Sequence, residues 1–185
     1  MDQWVEKSLH KLASEFGYQS GAPVLLVNTK NQSMLLMSNN LVRSEFDVST
    51  SRFGLGCEEG SNCTPTGVHR VAGKIGSDAP IGAIFIGREN TGEIADRNPG
   101  AQPTGKDLIT TRILLLDGLE EGHNKGGHKD SYSRFIYIHG TSEEGLIGQP
   151  ASMGCIRMRN TDVISVYDAV FEGTLVYIAD PDEIS

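Results

Sequence analysis

The segment Ile138-His139-Gly140-Thr141, followed after a short polar stretch by Ser152-Met153-Gly154-Cys155-Ile156-Arg157-Met158, places a thiol, an imidazole and a glycine-flanked turn close together. A free thiol ionises near pH 8.5, so a cysteine nucleophile at neutral pH needs a base. His139 can be that base, forming a thiolate–imidazolium pair with Cys155 by proton transfer. Gly154 lets the chain turn sharply before Cys155, which directs the backbone N–H groups of Met153, Gly154 and Cys155 toward an oxyanion. Each such donor is typically worth about 3 kcal/mol. Nothing in the spacing supplies an acid to orient His139, which leaves a backbone carbonyl such as that of Gly140. Arg157 offers a planar fork for a substrate carboxylate; the alternative is an ion pair with a surface acid such as Asp162. Arg112 and Arg134 are further candidates for substrate contact, with Gly140 and Thr141 beside the base, and Ser152 fixes the turn by hydrogen bonding. Tyr132 and Tyr137 could line the cleft.

These groups need rigid supports. The apolar run 134–138 reads as a strand that ends on His139. Other strand-like runs are 24–27, 34–37, 41–48, 67–71, 81–86, 110–116 and 174–178, separated by turns rich in Gly, Asn and Ser. Many short strands imply a mostly β domain, a mixed β-sandwich or distorted barrel. Val5, Leu9, Leu12 and Phe16 recur at helical spacing with Gly17 as a stop, which predicts an amphipathic helix over 3–16. A second helix follows the cysteine, capped by Asn160 or Thr161, with Val163, Val166, Tyr167 and Val170 inward and Gly173 at its end. The chain therefore divides into a helix and connector, 1–21, and a catalytic domain, 22–180. The loop 118–133 is long enough to be a flap facing substrate.

Composition narrows the function. The chain has 185 residues and a net charge of −8, which argues against nucleic acid and anionic membrane as partners. No run approaches the roughly 20 apolar residues that cross a bilayer. The start, Met1-Asp2-Gln3-Trp4-Val5-Glu6-Lys7, is acidic and lacks an apolar core, so it does not read as a secretory signal. Cys57 and Cys63 could pair in an oxidising compartment and should stay reduced in the cytoplasm. With His123 and His128 they lack zinc-site spacing, so neither metal nor cofactor is expected.

His139-Gly140-Thr141 with Ser152-x-Gly154-Cys155-Ile156-Arg157-Met158 resembles the signature of the L,D-transpeptidase catalytic domain, the YkuD-type cysteine enzymes of peptidoglycan metabolism. Thr64-Pro65-Thr66-Gly67 is similar to the family's TPxG turn. The segments 109–114 and 132–141, with Asn160 and Asp162, extend the likeness across about 22–178. The family usually has histidine where this chain has Met153, a position expected to act through its backbone N–H. The resemblance implies a mixed-strand β fold, Cys155 and His139 as nucleophile and base, peptidoglycan stem peptides as substrates, and acylation of the cysteine by carbapenems. Combined with the missing export signal, it gives the expectation of a cytoplasmic L,D-carboxypeptidase of peptidoglycan recycling, releasing the terminal D-alanine of murein tetrapeptides. The alternatives are an exported cross-linking L,D-transpeptidase, periplasmic or otherwise extracytoplasmic after loss of an upstream leader, and a catalytically silent domain that binds wall fragments.

Overall fold

The computed structural model describes residues 2–100 and 102–184. Its first element is the helix α1 (Gln3–Phe16). Trp4, Val5, Leu9 and Leu12 are buried on one side, packed on Val24, Leu26, Met37, Val68 and Tyr177. Burying one leucine in this way stabilises the fold by about 1.5–3 kcal/mol. The helix stops where predicted: Gly17 takes a left-handed φ of 69°, and the Tyr18 N–H returns to the Leu12 carbonyl at 3.0 Å.

The strands are β1 (Val24–Asn28), β2 (Ser33–Ser38), β3 (Leu41–Asp47), β4 (Gly67–Ile75), β5 (Ala83–Ile86), β6 (Glu89–Ile94), β7 (Ile109–Gly118), β8 (Tyr137–Gly140), β9 (Ile156–Met158) and β10 (Leu175–Ala179). They form one mixed sheet in the order β3-β2-β1-β10-β4-β7-β5-β6, and β8 branches from β7 and carries β9. β1 runs parallel to β10, and β8 parallel to β9; the other pairs are antiparallel. Helix α2 (Asn160–Ala169) makes the crossover from β9 to β10. The sheet folds over so that Leu25, Val27, Met34 and Val176 share one core with Leu114, Ile138, Ile156, Val163 and Val166. The mostly β, mixed-strand expectation is met, and the sheet is open rather than closed into a barrel.

Several boundaries differ from the sequence reading. β4 and β7 are longer than expected, because a bulge between Val71 and Gly73 lets their pairing continue to Ile75 and Ile113. β8 starts at Tyr137, since Phe135 has a φ of 59° and cannot extend a strand. β6, with the sequence ENTGEI, was not predicted; all six residues are exposed, so no apolar alternation marks it. The N-cap of α2 is Arg159, while Asn160 is a helical residue whose side chain is buried in a hydrogen-bond network. The helix ends at Ala169, and Gly173 serves the next turn at φ 96°.

Candidate active site

Strand register assembles the site. Ile138 pairs with Ile156 and His139 with Arg157 in the parallel β8–β9 pair, so Cys155 lies at the entry of β9 beside Tyr137. Partners in a parallel pair share a face, and side chains two residues apart along a strand also share one. Cys155, Tyr137, His139 and Arg157 therefore project from the same side of the branch. On β7, Ile113 and Leu115 sit opposite His139 and Tyr137. With Phe85 they form an apolar floor on which Cys155 rests.

His139 is almost fully buried, with its Nδ1 2.7 Å from the Gly140 carbonyl. A carbonyl only accepts, so Nδ1 carries the proton and Nε2 keeps the lone pair needed for base catalysis. Burial holds the imidazole below its ordinary pKa, opposed by the negative charge of Asp107 and the Gly140 bond and assisted by Arg157. Cys155 is half-buried, packed against this apolar floor. The Tyr137 N–H donates to Sγ, and the thiol in turn faces the Phe135 carbonyl, each at 3.4 Å. Burial pushes the thiol up to about 12, with the Tyr137 bond and Arg134 acting in the opposite direction and Asp107 adding to the rise. Both shifts favour uncharged groups, so the resting pair is thiol and neutral imidazole. Desolvation of both partners opposes the thiolate–imidazolium pair that the expected proton transfer would form.

The turn before Cys155 is held from two sides. The Ser152 hydroxyl donates to the Cys155 carbonyl at 2.5 Å, and Thr64, from the TPTG turn, donates to the Gly154 carbonyl at 2.9 Å. Thr64 Oγ1 also accepts from the Ser51 N–H, so its own orientation is fixed. A trans peptide carries C=O and N–H on opposite edges. Fixing the Gly154 carbonyl on Thr64 thus turns the Cys155 N–H the other way, and among the described residues it has no hydrogen-bond acceptor. Gly154 adopts a φ of 126°, a conformation that side chains resist. Its N–H points at the Ser152 hydroxyl at 3.3 Å. The Met153 N–H donates to a carboxylate oxygen of Asp107 at 3.1 Å, while the Met153 side chain is exposed. Of the three expected oxyanion donors, one is free and two are engaged within the protein.

Asp107 carries no recognisable signal in the sequence. It lies in the β6–β7 connection, among Gly, Pro and Lys. Its other carboxylate oxygen takes Arg157 Nη1 at 2.9 Å, and Glu143 takes the same nitrogen at 2.8 Å. Arg157 is wholly buried, and among the described residues its Nε and Nη2 have no partner. It is therefore committed to two acids and not presented to solvent; Asp162 pairs instead with Arg159, at 3.8 Å. Arg112 Nη1 binds the carbonyls of Ala79 and Thr111, both at 2.7 Å, and its guanidinium packs on Tyr167. Arg134 does reach the neighbourhood of the thiol: it donates to the carbonyls of Cys63 at 2.8 Å and Gly56 at 3.3 Å, and it lowers the Cys155 pKa electrostatically. Thr141 is buried, accepts from the Glu143 N–H, and passes its carbonyl to Asn160 at 2.8 Å.

Asn160 locks the branch. It accepts from the hydroxyls of Thr110 and Thr111, and donates to the Thr141 carbonyl and to Glu144 at 2.7 Å. A side chain on Gly140 would fall 2.7 Å from Asn160 Oδ1 and from the Thr110 carbonyl, so that position next to His139 admits only glycine. The loop 118–133 is tied down by its own network: Asn124 donates to the carbonyls of Thr66 and Val68, and Asp117 binds Arg70 and Lys125. Cys57 contacts His123 at 3.8 Å and Cys63 contacts the Phe53 carbonyl at 3.2 Å, with no disulfide between them. Among the described residues, no group of three or more His, Cys, Asp or Glu is arranged to hold a metal, and no helix is long and apolar enough to cross a membrane.

This constellation can be compared with known proteins. The family model described as the L,D-transpeptidase catalytic domain matches residues 22–178. The chain belongs to that family, whose members are cysteine-dependent enzymes acting on peptidoglycan. It is 27% identical over 161 residues to "Putative L,D-transpeptidase YqjB" of Bacillus subtilis (strain 168), covering 86% of this chain and 73% of that protein. It is 39% identical over 79 residues to "Putative L,D-transpeptidase YkuD" of the same organism, covering 40% and 48%. Among solved structures it shares its fold with L,D-transpeptidase 3 from Mycobacterium tuberculosis bearing a faropenem-derived adduct, at a TM-score of 0.53 and 15% identity over 86% of this chain and 60% of that one. The Mycobacterium tuberculosis enzyme LdtMt1 in complex with imipenem is similar at a TM-score of 0.51 and 14% identity, over 85% and 59%. The chain thus spans about three-fifths of the length of these two solved relatives.

Proposed function

We propose that this protein is an L,D-carboxypeptidase that releases the terminal D-alanine of murein tetrapeptides by way of a thioester on Cys155. Sγ attacks the carbonyl of the third stem residue as its proton passes to His139 Nε2. The Cys155 N–H receives the oxyanion, joined by the Met153 N–H when Asp107 yields it. Collapse breaks the C–N bond, and the Nε2 proton goes to the departing amine of D-alanine. Water, deprotonated by the same Nε2, then attacks the thioester, releasing the tripeptide and restoring the thiol. Concerted proton transfer suits a neutral resting pair, because charge develops only as the donors meet it.

The observation that supports acyl transfer to Cys155 is the strand register that puts Cys155, Tyr137 and His139 on one side of the β8–β9 branch, with a Cys155 N–H that has no acceptor among the described residues. The separate packing of Cys57 and Cys63 agrees with a chain kept reduced, as in the cytoplasm. Incubating the protein with tetrapeptide, with and without an acceptor amine, and weighing the products tests this reading. Tripeptide and D-alanine in both incubations support it; cross-linked dimer as the main product replaces it with transpeptidation. Failure of any acyl donor or β-lactam to modify Cys155 leaves the silent wall-binding domain.

A further inference from the structure

On the other side of Cys155 from His139 lies a group of side chains that the reaction above does not use. Strands β5 and β6 are joined by the two-residue turn Gly87-Arg88, with φ values of 57° and 74°. That is the turn in which Gly or Asn is preferred at both positions. Arginine there is held against its backbone preference. A second left-handed residue, Phe135, meets it from the loop before β8. The Phe135 backbone turns its carbonyl onto the Cys155 thiol, while its ring stays 61% exposed. The Arg88 guanidinium stands 5.0 Å from the Tyr132 ring, 5.2 Å from Phe135 and 5.7 Å from Tyr137. Arg88 Nε donates to the Tyr137 hydroxyl at 2.9 Å and Nη1 to that of Tyr132 at 3.3 Å. Among the described residues Nη2 has no partner.

Two strained residues thus place an aromatic-backed, half-exposed guanidinium one tyrosine length from the nucleophile, since the Tyr137 N–H is on Sγ and its hydroxyl is on Arg88. Aromatic faces fix the plane of a guanidinium, and its open edge matches a carboxylate. The side of the site follows from the mechanism: His139 must face the leaving amine, so the Tyr137–Phe135 direction along β8 belongs to the acyl donor. We propose that Arg88, framed by Tyr132 and Phe135, is a subsite for a free carboxylate on the acyl-donor portion of the stem peptide. This rests on the hydrolase reading above and adds a selection against amidated stems.

The test uses Cys155→Ala protein, which binds without turnover, and a diaminopimelate tetrapeptide titrated calorimetrically. Three forms are compared: unmodified, amidated at the second-residue α-carboxylate, and amidated at the side-chain carboxylate of the third residue. A charge-assisted pair of this kind should give one amide form about tenfold weaker binding or more, and which form weakens identifies the carboxylate. Adding Arg88→Gln should weaken the unmodified peptide to the level of that amide and leave the amide's own affinity in place; Arg88→Lys should fall between. A purely structural Arg88 would shift all three peptides alike, and equal binding of all three by the parent protein overturns the subsite. No binding of any form overturns the murein-peptide reading, and the subsite with it.

Discussion

Burial of Cys155 against its apolar floor slows its thiol chemistry by a definite amount. With its pKa pushed up to about 12 from an ordinary 9.0, the thiol holds about a thousandth of the usual thiolate at neutral pH. The more basic thiolate recovers part of that loss, because nucleophilicity rises with basicity at a slope of about 0.4–0.5, leaving a net slowing of roughly thirtyfold to sixtyfold. The partial solvent contact of the residue makes this an upper figure. Iodoacetamide should therefore label Cys155 roughly tenfold to thirtyfold more slowly in the folded protein than in the denatured chain at about pH 7.5. Its labelling rate should rise about tenfold per pH unit up to at least about pH 10. Peptide mapping separates this signal from Cys57 and Cys63. His139→Ala should change the folded rate little, since the imidazole does not hold a resting thiolate. A labelling rate that is flat across about pH 6–9, and collapses on His139→Ala, would show a preformed ion pair and refute the reasoning.

Other consequences are as direct. Burial holds His69 at about 4, with Nε2 2.9 Å from the Ser131 hydroxyl. Its unfolded pKa is higher, so the unfolded chain takes the proton first; stability is full above about pH 6.5 and falls by about 3 kcal/mol as the pH drops to about 4. Denaturant titrations at the two pH values should show the loss, and His69→Gln should flatten it. Asp107→Asn removes the charge that raises the Cys155 pKa and loosens the grip on the Met153 N–H. Carbapenem acylation of Cys155 should then accelerate by about threefold to tenfold, each tenfold being about 1.4 kcal/mol; slower acylation in stopped-flow measurements would contradict this. Met153→His should alter the hydrolytic rate by no more than about tenfold, because the native side chain is exposed and its position contributes a backbone donor. A larger gain in steady-state rate would assign the side chain a chemical role.

Much of the fold was legible because its signals are local. The spacing of Val5, Leu9 and Leu12 gives α1, and the apolar runs give β1, β2, β7 and β10. β6 was silent because none of its residues is buried, and β9 because three residues cannot display a period. His139 and Cys155 stood out by residue type and by the glycines beside them. The partners that tune them did not. Asp107 comes from a polar loop 48 positions before Cys155 in the sequence, and only the β8–β9 register shows why Arg157 sits beneath His139 rather than in solvent. Asn160 was read as a helix cap because asparagine at a helix start usually is one. Its burial against Thr110 and Thr111 depends on a β7–β8 pairing that no short window contains. Arg88 and Phe135 are similar cases, since a left-handed backbone at an arginine or phenylalanine leaves no mark in composition.

The central claim is that Cys155 carries the acyl group of the substrate. Mixing the protein with tetrapeptide, quenching in acid during the first turnovers and measuring the intact mass tests it directly. The account predicts a species heavier by the tripeptide acyl group, with the mass mapped to the peptide containing Cys155, absent from Cys155→Ala and decaying as free tripeptide appears. Release of D-alanine undiminished by Cys155→Ala, or an adduct on Cys57 or Cys63, would contradict it.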